Sequence, residues 1–120
     1  MESRSRSSLR LSKRCGGGTT SINFDKEYVS LILEGKKKTT VRKGIKSYPV
    51  GKIVYLTANS EPFARARVVK AVIKRVKELT DEDAMRDGFS SVEELIKALK
   101  KIYGSLRDDE FVTVVHFELV

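Results

Sequence analysis

Gly35-Lys36-Lys37-Lys38-Thr39-Thr40-Val41-Arg42 places hydroxyls between two kinds of cation, directly after an amphipathic segment. Lys37 can serve as a charge or, once desolvated, as a base. Arg42 offers a fixed fork of donors suited to phosphate or carboxylate. Thr40 supplies a small donor and acceptor, or a nucleophile if a neighbouring base takes its proton. With residues 39–42 extended, Thr40 and Arg42 project from one face of a strand. Lys37, in the turn before it, can fold over that face. The stretch therefore predicts a helix-to-strand turn carrying an anion or nucleobase site.

Upstream, Phe24, Tyr28, Leu31 and Ile32 fall at i, i+4, i+7 and i+8, which predicts one helical stripe. Asp25 at its start suits the helix dipole, and Gly35 ends it as a C-cap does. Downstream, Tyr48-Pro49-Val50-Gly51 reads as a turn, and residues 53–57 as a strand with Val54 and Leu56 on one side. Residues 63–77 are long for a strand and change phase: Ala64, Ala66 and Val68 share one face, then Val69, Ala71 and Ile73 the other. Either a bulge in one strand or two separate strands accounts for that switch. Thr80 caps a short helix with acids in its first turn, ending at Asp87-Gly88. Ser90 or Ser91 caps the next, whose Val92, Leu95, Ile96, Leu99 and Ile102 form a stripe that Gly104 ends. Phe111, Thr113, Val115, Phe117 and Leu119 alternate in a last strand. This order predicts an α+β domain: a mixed or antiparallel sheet closed into a small barrel, one N-terminal helix, and a two-helix insertion before the final strand.

The chain of 120 residues reads as one domain over residues 22–120, preceded by a basic Ser/Arg/Gly-rich tail over residues 1–21. That tail carries five basic residues against Glu2, half of the net charge of +8, so the folded part is only mildly basic. It fits a basic nucleic-acid arm, an organellar transit peptide or, the preferred reading, an extension without function. Basicity favours a polyanionic partner without requiring one. The single cysteine, Cys15, excludes an internal disulfide and a cysteine-based zinc site. No apolar run is long enough to cross a membrane as a helix. A cytoplasmic protein without a cofactor is the simplest expectation.

Taken together, these segments resemble the ASCH domain, a branch of the PUA-like superfamily. The resemblance rests on G-x-K-x-x-T-x-R, met by Gly35, Lys37, Thr40 and Arg42, and extends over about residues 22–120. The helix ending at Gly35, the Tyr48–Gly51 turn, the Asp87-Gly88-Phe89 and Ile102-Tyr103-Gly104 stretches and the Phe117-Glu118 close follow in the family's order. The resemblance implies a small β-barrel with a cleft beside the helical insertion, and binding of RNA or a modified nucleoside. One bacterial branch hydrolyses N4-acetylcytidine with a Lys, a Thr and a Glu. The first two carry over onto Lys37 and Thr40; the acid falls near Asp87, one methylene shorter, with Glu82 and Glu93 out of register. Lys52 stands where the family often has an acid.

Each candidate has a plainer reading beside it. The lysine run also suits a helix end, Arg42 also suits an ion pair with an acid of the insertion, and Thr40 is a good β-former. Asp87-Gly88 is an ordinary helix-ending turn. Tyr103 is a core or cleft-wall aromatic, or a stacking surface for a base. Arg65 and Arg67 share a strand face and either line a phosphate track or face solvent. His116, the only histidine, reads as structural. Two functions follow: an RNA- or nucleoside-binding module using Gly35, Lys37, Thr40, Arg42, Arg65, Arg67 and Tyr103, or an amidohydrolase using Lys37, Thr40 and Asp87. A ribonuclease fits less well, because no paired histidine can act as acid and base.

Overall fold

A computed structural model describes residues 21–120; the tail readings, including Cys15, concern residues outside these. Five strands form one sheet in the order β1-β3-β4-β5-β2. They are β1 (Ser21–Phe24), β2 (Thr39–Lys43), β3 (Ile53–Ala58), β4 (Glu61–Arg75) and β5 (Phe111–Leu119). β1 runs parallel to β3, and every other pairing is antiparallel. A 3₁₀ turn at Lys26–Tyr28 leads into α1 (Val29–Leu33); α2 (Asp81–Arg86) and α3 (Val92–Tyr103) lie between β4 and β5.

The opening helix is shorter than its stripe suggested. Ile22 and Phe24 alternate inward from a strand, with Ser21 and Asn23 outward. Asp25 is extended (φ −66°, ψ 145°), which ends β1 and starts the turn. The later helices begin as their sequences dictate. The Thr80 hydroxyl accepts from the Asp83 N–H while the Asp83 carboxylate accepts from the Thr80 N–H. Ser91 takes the corresponding role for α3, accepting from the Glu94 N–H at 3.3 Å.

The phase change in β4 is a bulge in one strand, with the register on β5 shifting between Val68 and Lys70. Two cores lie on opposite faces of the sheet. Phe24, Ile32, Leu56, Val68, Val115 and Phe117 fill the concave side. Val41, Leu79, Leu95, Leu99, Val112 and Val114 seal the other against α2 and α3. β5 contributes to both, Val115 and Phe117 to the first and Val112 and Val114 to the second, on the two sides of its pleat.

The sheet curls into a half-barrel, and the expected closure is not a backbone ladder. β1 and β2 are the two edges. A side chain joins them instead: Arg42 on β2 donates from Nη2 to the Asn23 carbonyl on β1 at 2.7 Å.

Candidate functional site

The site forms where the α1–β2 turn meets the end of α2. Gly35 adopts φ +82°, which only glycine takes without strain, and the N–H groups of Lys36 and Lys37 then both donate to the Leu31 carbonyl. The Lys38 N–H donates to the Arg86 carbonyl at 2.6 Å and ties the turn to α2. Gly88, at φ +93°, lets the chain double back directly after Asp87.

Those two turns bring together residues fifty positions apart. Lys37 donates from Nζ to Asp87 Oδ1 at 2.7 Å and to the Asp87 carbonyl at 3.3 Å. Thr39 Oγ1 donates to the same Oδ1 at 3.3 Å. Both charged side chains are about 95% buried, Lys37 with 4% and Asp87 with 5% exposed. The ammonium also lies 4.9 Å from the Tyr28 ring centre and 5.8 Å from that of Phe24. Burial pushes the Lys37 ammonium below its ordinary value despite Asp87, and the Arg42 charge acts in the same sense. Burial likewise raises the Asp87 carboxyl above its usual range, against Lys37 and Thr39. For both groups desolvation outweighs pairing, which lowers the pKa of Lys37 and raises that of Asp87.

Thr40 and Arg42 lie beside this pair on the concave face of β2. Arg42 Nε donates to Thr40 Oγ1 at 3.0 Å, and its guanidinium sits 5.2 Å from the Phe24 ring centre. With Asn23 as the other acceptor, three of its five N–H groups have no hydrogen-bond partner among the described residues. No carboxylate among these residues pairs with it, so its anchor is a main-chain carbonyl and not an acid of the insertion.

A cleft of about 190 Å³ opens over these groups. Phe24 and Tyr28 wall it on the barrel side, Leu99 and Tyr103 on the α3 side, with Lys37, Thr40, Arg42 and Asp87 along its floor. Tyr28 and Phe89 meet edge to face at 6.3 Å, which holds the Tyr28 wall in place. Lys37, Thr40, Arg42, Asp87 and Tyr103 are thus gathered in one cleft. Gly35 shapes the turn and does not line it. Arg65 and Arg67 are not brought there: they point outward from β4, Arg67 toward Glu118 at 3.6 Å. Glu82 is exposed and pairs with Arg86 at 2.9 Å, so neither it nor exposed Glu93 competes with Asp87. Sequence reasoning missed Asn23, Tyr28 and Thr39, whose roles depend on where β1 and α2 end. Among the described residues no group of His, Cys, Asp or Glu could hold a metal, and no helix is long and apolar enough to span a membrane.

The half-barrel, the helical insertion and the cleft between them define a PUA-like domain. The chain belongs to the ASCH domain family, whose model matches residues 19–120; the family is associated with RNA binding. Solved structures agree on the fold. An ASCH domain from Lactobacillus crispatus JV V101 superposes with a TM-score of 0.66 at 17% identity, covering 75% of this chain and 68% of that one. A mutant ASCH protein from Zymomonas mobilis gives 0.62 at 18%, with 82% and 66% covered. A hypothetical protein, PH0355, gives 0.61 at 19%, with 83% and 97% covered. The chain thus spans about two thirds of the first two. No curated protein matches it in sequence.

Proposed function

We propose that the cleft binds a single nucleobase, from RNA or from a modified nucleoside. One observation carries this: a cleft of about 190 Å³ lined by aromatics from the barrel side and from α3 together with cations and a hydroxyl. That volume corresponds to roughly six waters and falls short of the several hundred Å³ of drug-sized pockets. It suits one flat ring, with sugar and phosphate left at the mouth. Tyr28 and Tyr103 supply stacking surface, and the three N–H groups of Arg42 without a partner among the described residues suit a carbonyl or phosphate oxygen. Calorimetric titration with cytidine and uridine tests the reading. Binding that weakens at least tenfold in Tyr103→Ala supports it; affinity unchanged in that variant would remove the base from the slot.

Hydrolysis of N4-acetylcytidine is a second reading, favoured by the buried pair Lys37–Asp87, which lines the same cleft as Thr40. Thr40 Oγ would attack the acetyl carbonyl, the N4 amine would leave as cytidine, and water would release acetate. The arrangement departs from an assembled nucleophile and base. Lys37 Nζ is engaged by Asp87, and no described hydrogen bond joins it to Thr40. Chromatographic detection of cytidine, with Lys37→Ala as control, decides between the two. Release that vanishes in the variant establishes the enzyme, and no release at high protein concentration leaves the binding module.

A further inference from the structure

β2 pairs with β5 and with no other described strand. In an antiparallel pair, successive residues alternately turn their backbone groups toward the partner and away from it. The Phe117 N–H donates to the Lys38 carbonyl at 3.1 Å, and the Gly44 N–H to the Phe111 carbonyl at 2.8 Å. With the register Thr39↔His116 through Lys43↔Val112, these bonds fix the parity. Lys38, Thr40, Arg42 and Gly44 face β5. The N–H and C=O of Thr39, Val41 and Lys43 face the open edge.

Of those three, only Val41 lines the cleft. It is 5% exposed, and among the described residues no hydrogen bond takes up its N–H or its C=O. Buried main-chain groups are seldom left without a partner. An edge strand is a template for one more rung. A whole strand does not fit here, because Leu95, Leu99 and Tyr103 of α3 line the same cleft, whose volume is only about 190 Å³.

Resting on the nucleobase reading above, we infer that the Val41 main chain reads the Watson–Crick edge of the bound base, its N–H donating and its C=O accepting side by side. A base supplies the complement in one plane. Cytosine offers the N3 acceptor beside the N4 donor, and uracil the N3 donor beside a carbonyl. The side chain of Val41 meanwhile packs in the helix-side core, so the reading groups are held by the sheet and by that packing together. Thr40 and Arg42, on either side, then meet the base from the barrel side.

The test compares cytidine with 3-deazacytidine, which replaces the N3 acceptor by C–H without added bulk. It uses titration calorimetry and the ¹⁵N–¹H spectrum of the full chain. Cytidine should shift the Val41 amide resonance, and 3-deazacytidine should bind about tenfold more weakly. Val41→Pro removes the donor at a position where the ladder does not use it; it should fold, by circular dichroism, and lose cytidine affinity to the same degree. Equal affinity for the two nucleosides with an unmoved Val41 resonance would overturn the inference while leaving the nucleobase reading standing. Failure of cytidine and uridine alike to bind would overturn both.

Discussion

Replacing Asp87 by leucine should cost this domain a large part of its stability, and replacing Lys37 as well should return most of it. In Asp87→Leu the ammonium, 4% exposed, keeps one hydrogen-bond acceptor among the described residues, the main-chain carbonyl of residue 87 at 3.3 Å, and Thr39 loses its acceptor. Removing one member of a buried pair costs about 3–5 kcal/mol. For a domain of this size that lowers Tm by roughly 12 °C or more. Lys37 limits the loss by giving up its proton, a direction burial already favours. The sign follows from linkage: its folded pKa is depressed, so the folded variant binds fewer protons than the unfolded chain. The variant's stability therefore rises with pH towards the ordinary lysine value of 10.5. The double variant Lys37→Met/Asp87→Leu removes both charges from the apolar surround and should fall within about 1 kcal/mol of the parent or exceed it. Urea unfolding at several pH values measures all four corners of the cycle. Single variants within about 1 kcal/mol of the parent would mean that solvent screens the pair, and the buried-pair account would fail.

Arg42→Ala should destabilise by about 1.5–3 kcal/mol, because charged hydrogen bonds to Asn23 and Thr40 are lost and the β1–β2 seam opens. Arg42→Lys should not rescue it, since one ammonium cannot reproduce the fork; thermal unfolding of both variants checks this. Gly88→Ala should cost about 1–2 kcal/mol from its φ of +93° alone, as the added Cβ would meet Leu31 and Lys37 at the ordinary distances of 3.5 and 3.6 Å. A much smaller loss in urea unfolding would show the turn to be adaptable. Burial and the neighbouring charges of Lys70 and Arg86 depress His116. Its contribution is present above pH 6.5 and lost as pH falls through the lower folded value, so His116→Gln should flatten the stability profile in that window. Arg65→Ala and Arg67→Ala should leave nucleoside affinity unchanged, because both side chains face away from the cleft; a calorimetric loss would place the ligand on the outer sheet face.

Much of the domain is legible in the chain because its signals are local. Thr80 and Ser91 announce helices through their own caps, and Val54 and Leu56 mark a strand by alternation. The phase change near Val69 marks a break in the alternation of β4, although only pairing with β5 shows one bulged strand instead of two. Phe24 misleads for a physical reason. Its spacing to Tyr28 is helical, yet Ile22 and Phe24 also alternate, and a four-residue strand is decided by its partner β3 and not by its own pattern. Within the site, Lys37, Thr40 and Arg42 are legible as a spaced triplet on one turn and strand. That Arg42 would hold a main-chain carbonyl, and that Thr39 would join Lys37 on Asp87, depends on contacts between distant segments. Local sequence carries no mark of those. Arg65 and Arg67 show the opposite limit: alternation groups them on a face but does not say which side of the sheet that face takes.

The place of β5 has a consequence for how the domain assembles. It is the last of the described elements in order, yet it lies inside the sheet between β4 and β2. Before it arrives, β2 has no strand to pair with, and both cores lack a wall: Val112 and Val114 from one, Val115 and Phe117 from the other. During synthesis the earlier strands therefore wait, with the edge of β4 uncovered and open to mispairing. The closing event joins Thr39 to His116 across most of the chain, the kind of long-range contact that slows folding. Substitutions in β5 should accordingly change how fast the domain folds as much as how long it survives.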